Sequence, residues 1–283
     1  MSKELEAARS AAIRSKIIGY VVCAIFPLLM AFYAIAEEES VPLGIGMFVV
    51  FYCVVRVLYA AVSKNKAYAK FVTLYKKEMI TTALNGSQLY DELNFDFESG
   101  IDPNVVNRTG LITANRFFSD CYMSGVYNGT RFIQADVRNV RGERGGYVLE
   151  YDGTLLIVPV NLTNLTETIV YNKKVDISLI LPGKKYKTGN REFDQTFEVY
   201  SNKTEEAKSL LTEEFTNKLV DVQNRMKSRI AFTIKDGYMY IFLSKHGSNL
   251  KPKLSGKYDE SARQEIIDEL NRAKLFIDAF ATK

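Results

Sequence analysis

The stretch from Ile17 to Ala36, IIGYVVCAIFPLLMAFYAIA, contains 20 consecutive residues without a charge. At about 1.5 Å per residue, a helix of this length crosses the roughly 30 Å hydrocarbon core of a bilayer. A second stretch, Val41 to Val62, reads VPLGIGMFVVFYCVVRVLYAAV and is interrupted only by Arg56. Residues 37–40 between them form a short acidic connector. We therefore predict a hairpin with transmembrane helices at residues 17–36 and 41–62.

Basic residues on both outer flanks predict the orientation of this hairpin. Residues 1–16 carry a net charge of +2, the connector carries −3, and the segment from Arg56 to Lys77 holds six basic residues and no acidic one. Basic flanks stay in the cytoplasm, so residues 1–16 and the chain after the second span are expected there. The formal net charge of the whole chain is +4, whereas the net charge of residues 78–283 alone is −1. That balance argues against a nucleic-acid partner.

Arg56 lies about six residues from the cytoplasmic end of its span, close enough for its side chain to snorkel to the headgroups. We predict lipid-headgroup contact by four basic residues: Arg56, Lys64, Lys66 and Lys70. A charge inside a span also occurs in ion paths, which is the alternative for Arg56. The tripeptide Ala34-Ile35-Ala36 resembles a signal cleavage site. The length of the apolar run and Pro27 within it favour an uncleaved anchor.

The segment 63–86 is predicted to form a basic amphipathic helix beside the membrane. An apolar stripe recurs there at helical spacing, and Asn85-Gly86 provides a stop: Tyr68, Phe71, Val72, Tyr75 and Met79. The stripe either packs onto its own domain or serves self-association, so a homo-oligomer is compatible with the sequence.

Residues 87–283 are predicted to be one cytoplasmic domain. Strand patterns dominate from residue 94 to about 200, with short strands at Thr154–Val160 and Thr168–Leu181. Asn128-Gly129 separates two strand-like runs, which predicts a hairpin with a type I′ turn, and Asp236-Gly237 predicts a second hairpin. Helices are expected over residues 204–226, broken or bent near Thr212, and from a capping box at Ser261 onward. Strands with segregated helices indicate an α+β fold built on antiparallel sheet.

The search for catalytic chemistry is mostly negative. Three cysteines, two of them in the spans, and one histidine, His246, exclude a disulfide framework, a Cys-based zinc site and an HExxH helix. No phosphate-binding glycine loop or nucleophile elbow is present. The sequence therefore predicts no cofactor and leaves the catalytic residues unknown. Carboxylate pairs stay open as acid/base candidates: Asp96 with Glu98, Glu205 with Glu206, and Glu213 with Glu214.

Two segments carry a resemblance to a known family. They are FDQTFEVYS at residues 193–201, followed by EAKSLLT at 206–212, and SGVYNGTRF at 124–132. Over most of residues 17–280 the chain resembles the bacterial membrane family catalogued as domain of unknown function 3137. Glu213 stands where that family often has Pro, which favours a continuous helix at this point. In the motif we expect Phe193 and Phe197 to anchor a strand.

The resemblance implies two spans and a cytoplasmic α+β domain, and it supplies no catalytic residue. It places the protein in a bacterial inner membrane, with a LemA-like membrane protein as a candidate partner. Our leading hypothesis is a membrane-anchored, non-enzymatic binding or scaffold protein that engages a protein partner or lipid headgroups. The alternative hypothesis is a membrane-tethered enzyme with a carboxylate-based hydrolytic site.

Overall fold

The structure, a computed structural model, describes residues 2–38, 40–62, 66–86, 90–112, 116–143, 146–160, 168–175, 179–226, 228–244, 252, 254–255, 258 and 260–281. The chain divides into two compact units. The helical unit comprises residues 1–82 and 252–263, and the sheet unit comprises residues 83–251 and 264–283.

Two long helices dominate the helical unit. Helix α1 runs from Lys3 to Glu38 and α2 from Val41 to Val62, and both are long and apolar enough to cross a membrane. Helix α1 is about 54 Å long at 1.5 Å per residue, which exceeds the hydrocarbon thickness. Its first turns lie before the apolar stretch, and they bury Leu5, Ala8 and Ala12.

The two long helices approach each other closely at glycines. A Cβ on Gly44 would lie 3.0 Å from the carbonyl oxygen of Ala31, and one on Gly19 would lie 3.0 Å from the Tyr59 ring. The rings of Phe26 and Phe51 meet edge to face, with 5.8 Å between centroids. Small residues permit such a close approach between two helices because no side chain separates the backbones.

The predicted apolar stripe packs within its own unit. Helix α3, Lys66–Tyr75, lies against α1 and buries Phe71 and Tyr75. The ring of Tyr258 covers both, with 5.1 Å between the Tyr75 and Tyr258 centroids. A π-helical turn at Lys76–Ile80 follows, and then α4, Thr81–Gly86. Asn85 and Gly86 are the last described residues of α4, and residues 87–89, where the predicted stop would take effect, lie outside the described residues.

The described residues of the sheet unit form a nine-stranded antiparallel sheet in the order β1-β2-β3-β4-β9-β8-β5-β7-β6. The strands are β1 Glu92–Asp96, β2 Arg116–Tyr127, β3 Thr130–Glu143, β4 Gly146–Pro159, β5 Thr168–Asn172, β6 Lys184–Tyr186, β7 Phe197–Ser201, β8 Arg229–Lys235 and β9 Tyr238–Ser244. Both predicted hairpins are confirmed. Their turns carry positive φ at Asn128, Gly129, Asp236 and Gly237, as type I′ turns require.

Helices and loops cover the two faces of this sheet. Six further helices are described: α5 Pro103–Thr109, α6 Arg191–Thr196, α7 Thr204–Leu210, α8 Glu213–Arg225, α9 Glu260–Leu270 and α10 Arg272–Phe280. On one face Phe215 of α8 contacts Phe232 of β8 and Phe280 of α10. On the other face Val106 of α5 and Leu111 join a core with Leu155 and Phe242.

The helix around Thr212 is broken, so the continuous helix expected from the absence of Pro is wrong. Leu211 leaves helical geometry with ψ at 50°, and Thr212 is extended with ψ at 163°. The Thr212 hydroxyl accepts a hydrogen bond from the Phe215 amide at 3.3 Å, which caps α8 as predicted. The side-chain cap supplies the start signal that Pro would otherwise have given.

Other local expectations are also corrected. Phe193 lies in α6, not in a strand, because the Asn190 side chain caps a short helix by accepting from the Phe193 amide. Strand β4 starts at Gly146, earlier than predicted, and β5 ends at Asn172, well before Leu181. Helix α9 begins at Glu260, so Ser261 lies inside the helix and does not open it.

The overall fold class is confirmed. The protein combines two long apolar N-terminal helices with a large antiparallel sheet, and its other helices are mostly segregated from the strands.

Candidate functional site

The four predicted headgroup contacts fall in or beside the long helices. Arg56 places its guanidinium 4.1 Å from the centroid of the Tyr20 ring, a cation–π contact between α2 and α1. Lys66 and Lys70 are exposed on α3. Lys64 and the lone histidine, His246, lie outside the described residues.

The acidic pairs singled out in the sequence have local structural roles. Asp96 accepts hydrogen bonds from the Glu98 and Ser99 amides and from the Ser99 hydroxyl, so it closes the turn after β1. The glutamates at 205–206 and 213–214 lie in the first turns of α7 and α8, where they favour the helix dipole. These three pairs do not converge on a common site.

The family motif is also structural. The rings of Phe193 and Phe197 stack with 5.1 Å between centroids. Between them, the Asp194 carboxylate accepts hydrogen bonds from the Thr188 amide and hydroxyl and from the Gly189 amide. The motif therefore holds the loop between β6 and α6 in place.

A groove of about 1,060 Å³ lies at the end of the sheet formed by β1 to β4, and we call it the β1 groove. It combines polar and apolar side chains along its length: Glu92, Leu93, Asn94, Tyr122, Ser124, Val126, Arg131, Phe132, Ile133, Ile157, Pro159, Val160 and Tyr238. Strand β1 borders it and, among the described strands, pairs with β2 alone, so β1 forms one edge of the described sheet.

Gly125 allows β1 to lie against β2 beside this groove. A Cβ at this position would come 2.5 Å from the carbonyl oxygen of Glu92 and 3.1 Å from the Phe132 ring. Because the carbonyl belongs to the backbone, any larger residue at 125 must displace β1.

A second cavity, of about 600 Å³, is lined largely by charged side chains of β2, β3 and β4, and we call it the charged cavity. Three carboxylates and two guanidiniums contribute to it, together with one aromatic ring: Asp120, Asp136, Asp152, Arg116, Arg138 and Phe118. The Arg138 guanidinium pairs with the Asp152 carboxylate at 3.0 Å. Asp136 is buried, whereas Phe118 is 62% exposed.

A β-bulge shapes one wall of the charged cavity. Pairing between β2 and β3 shifts register between Asp120 and Met123, and Cys121 has φ at 56°. The amides of Cys121 and Tyr122 donate to the carbonyls of Phe97 and Ser99 in the turn after β1. The bulge therefore fixes Asp120 opposite Asp136 while β2 continues toward its hairpin.

Asp120, Cys121 and Asp136 are the described residues whose grouping could hold a metal ion. One potential ligand atom from each lies within 4.8 Å of the others. Carboxylates and a thiolate are ligands for divalent cations.

A buried polar network connects Asp136 of the cavity lining to α10. The Arg272 guanidinium donates to the Thr154 hydroxyl at 2.9 Å, and that hydroxyl donates to the Asp136 carboxylate at 3.3 Å. The Tyr151 hydroxyl donates to the Thr154 carbonyl. Burial raises the pKa of Tyr151 well above its ordinary value, and the neighbouring Asp136 raises it further. Tyr151 therefore stays protonated and acts as a hydrogen-bond donor.

Sequence reasoning missed the charged cavity, although one signal was present. Asp120 and Asp136 each interrupt an otherwise mostly apolar strand pattern, FFSDCYM and IQADV. A charge at a position where a strand is usually buried indicates a functional or paired site. The two aspartates are brought together by the register of β2 with β3, and this register could not be predicted from the sequence.

Comparisons with known proteins support the stated resemblance over part of the chain. No curated protein matches the sequence. The crystal structure of the mycobacterial trehalose monomycolate transport factor A, TtfA, is similar with a TM-score of 0.38 and 8% identity, over 74% of this chain and 98% of that one. That likeness is too distant to indicate a shared ligand. Residues 150–281 match the family model described as "Protein of unknown function (DUF3137)". The resemblance to this family is thereby confirmed for the C-terminal part of the chain.

Proposed function

We propose that this protein is a membrane-anchored binding protein whose sheet unit lies in the cytoplasm and binds an extended segment of a partner protein along the β1 groove. In this proposal residues 17–36 and 41–62 are the spans, residues 63–86 lie at the membrane surface, and residues 87–283 carry the binding function. The host compartment is the inner membrane of a bacterium.

The observation that carries this proposal is the distribution of exposed apolar side chains. Among the described residues, 20 of the 25 exposed large hydrophobic side chains lie between Ile17 and Leu58. Monomeric proteins in water rarely expose a continuous apolar surface of this extent. Lipid contact explains it, because apolar side chains need no protein partner within a bilayer.

Charge supports the proposed orientation and surface contacts. The acidic connector lies between two basic flanks, so residues 1–16 and the sheet unit are both assigned to the cytoplasm. The exposed Lys66 and Lys70, with Lys64 and Arg56, are proposed to contact anionic headgroups at about 1 kcal/mol each.

The β1 groove supports a protein segment as the bound partner. An open edge strand offers unpaired backbone groups to an incoming strand, and adjacent pockets then select its side chains. Strand β1 has five residues, and its sides alternate between exposed and half-buried. Peptide addition to β1 would extend the sheet and fill the groove beside it. A LemA-like membrane protein is the first candidate partner to examine.

Site-specific photocrosslinking in cells tests this proposal. A photoreactive residue at Asn94, in the groove, should crosslink to one short segment of a partner, whereas the same probe at the exposed Asn217 of α8 should not. Gly125→Val in the Asn94 probe strain should abolish the adduct, because β1 is displaced. Adducts that are identical at both positions, or unchanged by Gly125→Val, would contradict partner binding at β1.

The alternative of a carboxylate-based hydrolase draws support from one feature, the opposed Asp120 and Asp136. Paired carboxylates can divide acid and base roles. Activity-based screening with phosphoester, glycoside and ester substrates tests it. Turnover that Asp120→Asn abolishes without unfolding the protein would favour the enzyme over the binding protein.

A further inference from the structure

We propose that the charged cavity binds a small zwitterion, in which an ammonium group is joined by a short linker to a phosphate group. This site is separate from the β1 groove, and it does not depend on binding of a protein segment there. The argument rests on the order of charges across one face of three strands.

Strand register arranges the lining side chains in rows. Phe118 pairs with Arg138, which pairs with Asp152, and Asp120 pairs with Asp136 in the next row. Side chains two positions apart on a strand lie on the same face about 7 Å apart. The cavity therefore has an acidic end at Asp120 and Asp136, and Arg138 and Arg116 follow at successive rows away from it.

The acidic end suits an ammonium group. Asp120 and Asp136 lie directly opposite each other on β2 and β3, and opposite charges in a cross-strand arrangement attract, so an ammonium group between them would interact favourably with both carboxylates. One oxygen of Asp136 already accepts a hydrogen bond from Thr154 at the floor of the cavity. Phe118 presents an exposed ring in the adjacent row, where its face can contact a cation. Two carboxylates beside an aromatic face form an amine-binding combination.

The basic end suits a phosphate. Arg138 uses one terminal nitrogen for Asp152, and its guanidinium carries further N–H donors that an anion can share. Arg116 lies on the same face at the next row. A guanidinium group can donate two parallel hydrogen bonds to two oxygens of one phosphate. This geometry favours binding of phosphate over binding of a halide ion. The lining has an excess of one negative charge, so an anion without an ammonium group should bind poorly.

The dimensions agree with a small ligand. A volume of about 600 Å³ lies within the range of about 300–1,000 Å³ that is typical of small-molecule sites. The ligand can be a free metabolite or the headgroup of a membrane lipid, because both carry the same ammonium and phosphate groups.

Calorimetry with O-phosphoethanolamine on the full chain in nonionic detergent micelles tests the proposal. We expect saturable binding that is at least about tenfold tighter than binding of ethanolamine or inorganic phosphate alone. Asp120→Asn should weaken binding by about 10- to 100-fold, and Phe118→Ala by about fivefold, since both side chains contact the ammonium. Asp221→Asn, an exposed change on α8, is the matched control and should leave binding unchanged.

Thermal unfolding of each variant separates binding from folding, and Phe118→Ala should retain the wild-type Tm because its side chain is mostly exposed. Absence of binding at millimolar O-phosphoethanolamine, together with no difference between nanodiscs of phosphatidylethanolamine and phosphatidylglycerol in protecting residues 116–143 from hydrogen exchange, would overturn the proposal. Protection by phosphatidylethanolamine nanodiscs alone would identify the lipid headgroup as the source. Equal binding of ethanolamine would also overturn it, because the phosphate would then contribute nothing.

Discussion

The two units of this protein use apolar residues in opposite ways. In the sheet unit, Phe232 and Phe242 are fully buried between strands and covering elements. In the helical unit, Phe32 is 73% exposed and Leu29 is 64% exposed, although both lie within the long helix α1. The difference teaches that composition alone does not distinguish a buried core from an exposed apolar surface. What distinguishes the two units is whether the protein itself supplies apolar neighbours for these side chains, as it does in the sheet unit.

A matched pair of phenylalanine truncations gives the largest expected contrast. Phe232→Ala should lower the free energy of unfolding by about 3–5 kcal/mol, because it leaves a cavity beside Phe215. Phe32→Ala should change the stability of the sheet unit by less than about 0.5 kcal/mol. Urea unfolding of the full chain in detergent, followed by circular dichroism, measures both. Similar losses for the two variants would mean that Phe32 is also packed against protein, which would remove the contrast.

A charge placed on each exposed apolar surface gives the next largest effect. Leu29→Asp should disfavour membrane insertion of the first span by about 2.5–3.5 kcal/mol, since this site lies near the helix centre. Ile180→Asp, at a residue of the sheet unit that is 51% exposed, should be nearly neutral. Carbonate extraction of membranes measures the first variant, and Tm measures the second. If the Leu29→Asp variant stays in the membrane as the wild type does, a charge is tolerated equally on both exposed surfaces, and the expected difference between the units is wrong.

The same comparison explains which features the sequence predicts. The two long apolar helices and both hairpins follow from local signals, namely charge-free length and the Asn-Gly and Asp-Gly pairs. The sequence around helix α5 contains residues typical of a helix start and a helix end, but the helix was not predicted. Asp102 caps it by accepting from the Asn104 amide, Pro103 opens it, and Gly110 closes it with φ at 69°.

The candidate sites could not be predicted because they depend on pairing between distant residues. Asp120 meets Asp136 only through the register of β2 and β3, and a bulge at Cys121 shifts that register. A slip by one residue would place Asp120 on the opposite face. The β1 groove likewise depends on which strand ends at the sheet edge, which no local pattern states.

Buried polar groups sharpen the comparison further, because the sheet unit must satisfy them internally. The Gln223 side chain accepts hydrogen bonds from the Asn172 side chain at 3.0 Å and the Ile230 amide at 3.1 Å, and it donates to the Ser228 carbonyl at 2.8 Å. Gln223→Leu should cost about 1–3 kcal/mol, since it leaves buried partners unpaired. Chemical unfolding measures this cost. Unchanged stability would show that water replaces the amide and that α8 does not depend on this network.

Surface charges give the smallest expected effect and mark the last difference between the units. Near the spans, basic residues are predicted to act on lipid, whereas in the sheet unit Lys185 donates to Glu198 at 2.5 Å and Tyr171 donates to it at 2.8 Å. The Lys185 hydrogen bond holds the pKa of Glu198 below its ordinary value, and the Tyr171 hydrogen bond adds to this effect. A lowered pKa in the folded state stabilises the protein at pH values above the pKa of the carboxyl in the unfolded state. This stabilisation is lost as the pH falls through the pKa of the folded state.

Glu198→Gln should therefore lower Tm slightly at pH 7, and the difference from wild type should vanish at strongly acidic pH. Lys185→Met should abolish most of the same pH dependence in a double-mutant cycle, and a Tm difference that persists unchanged at acidic pH would show that packing, not charge, accounts for Glu198.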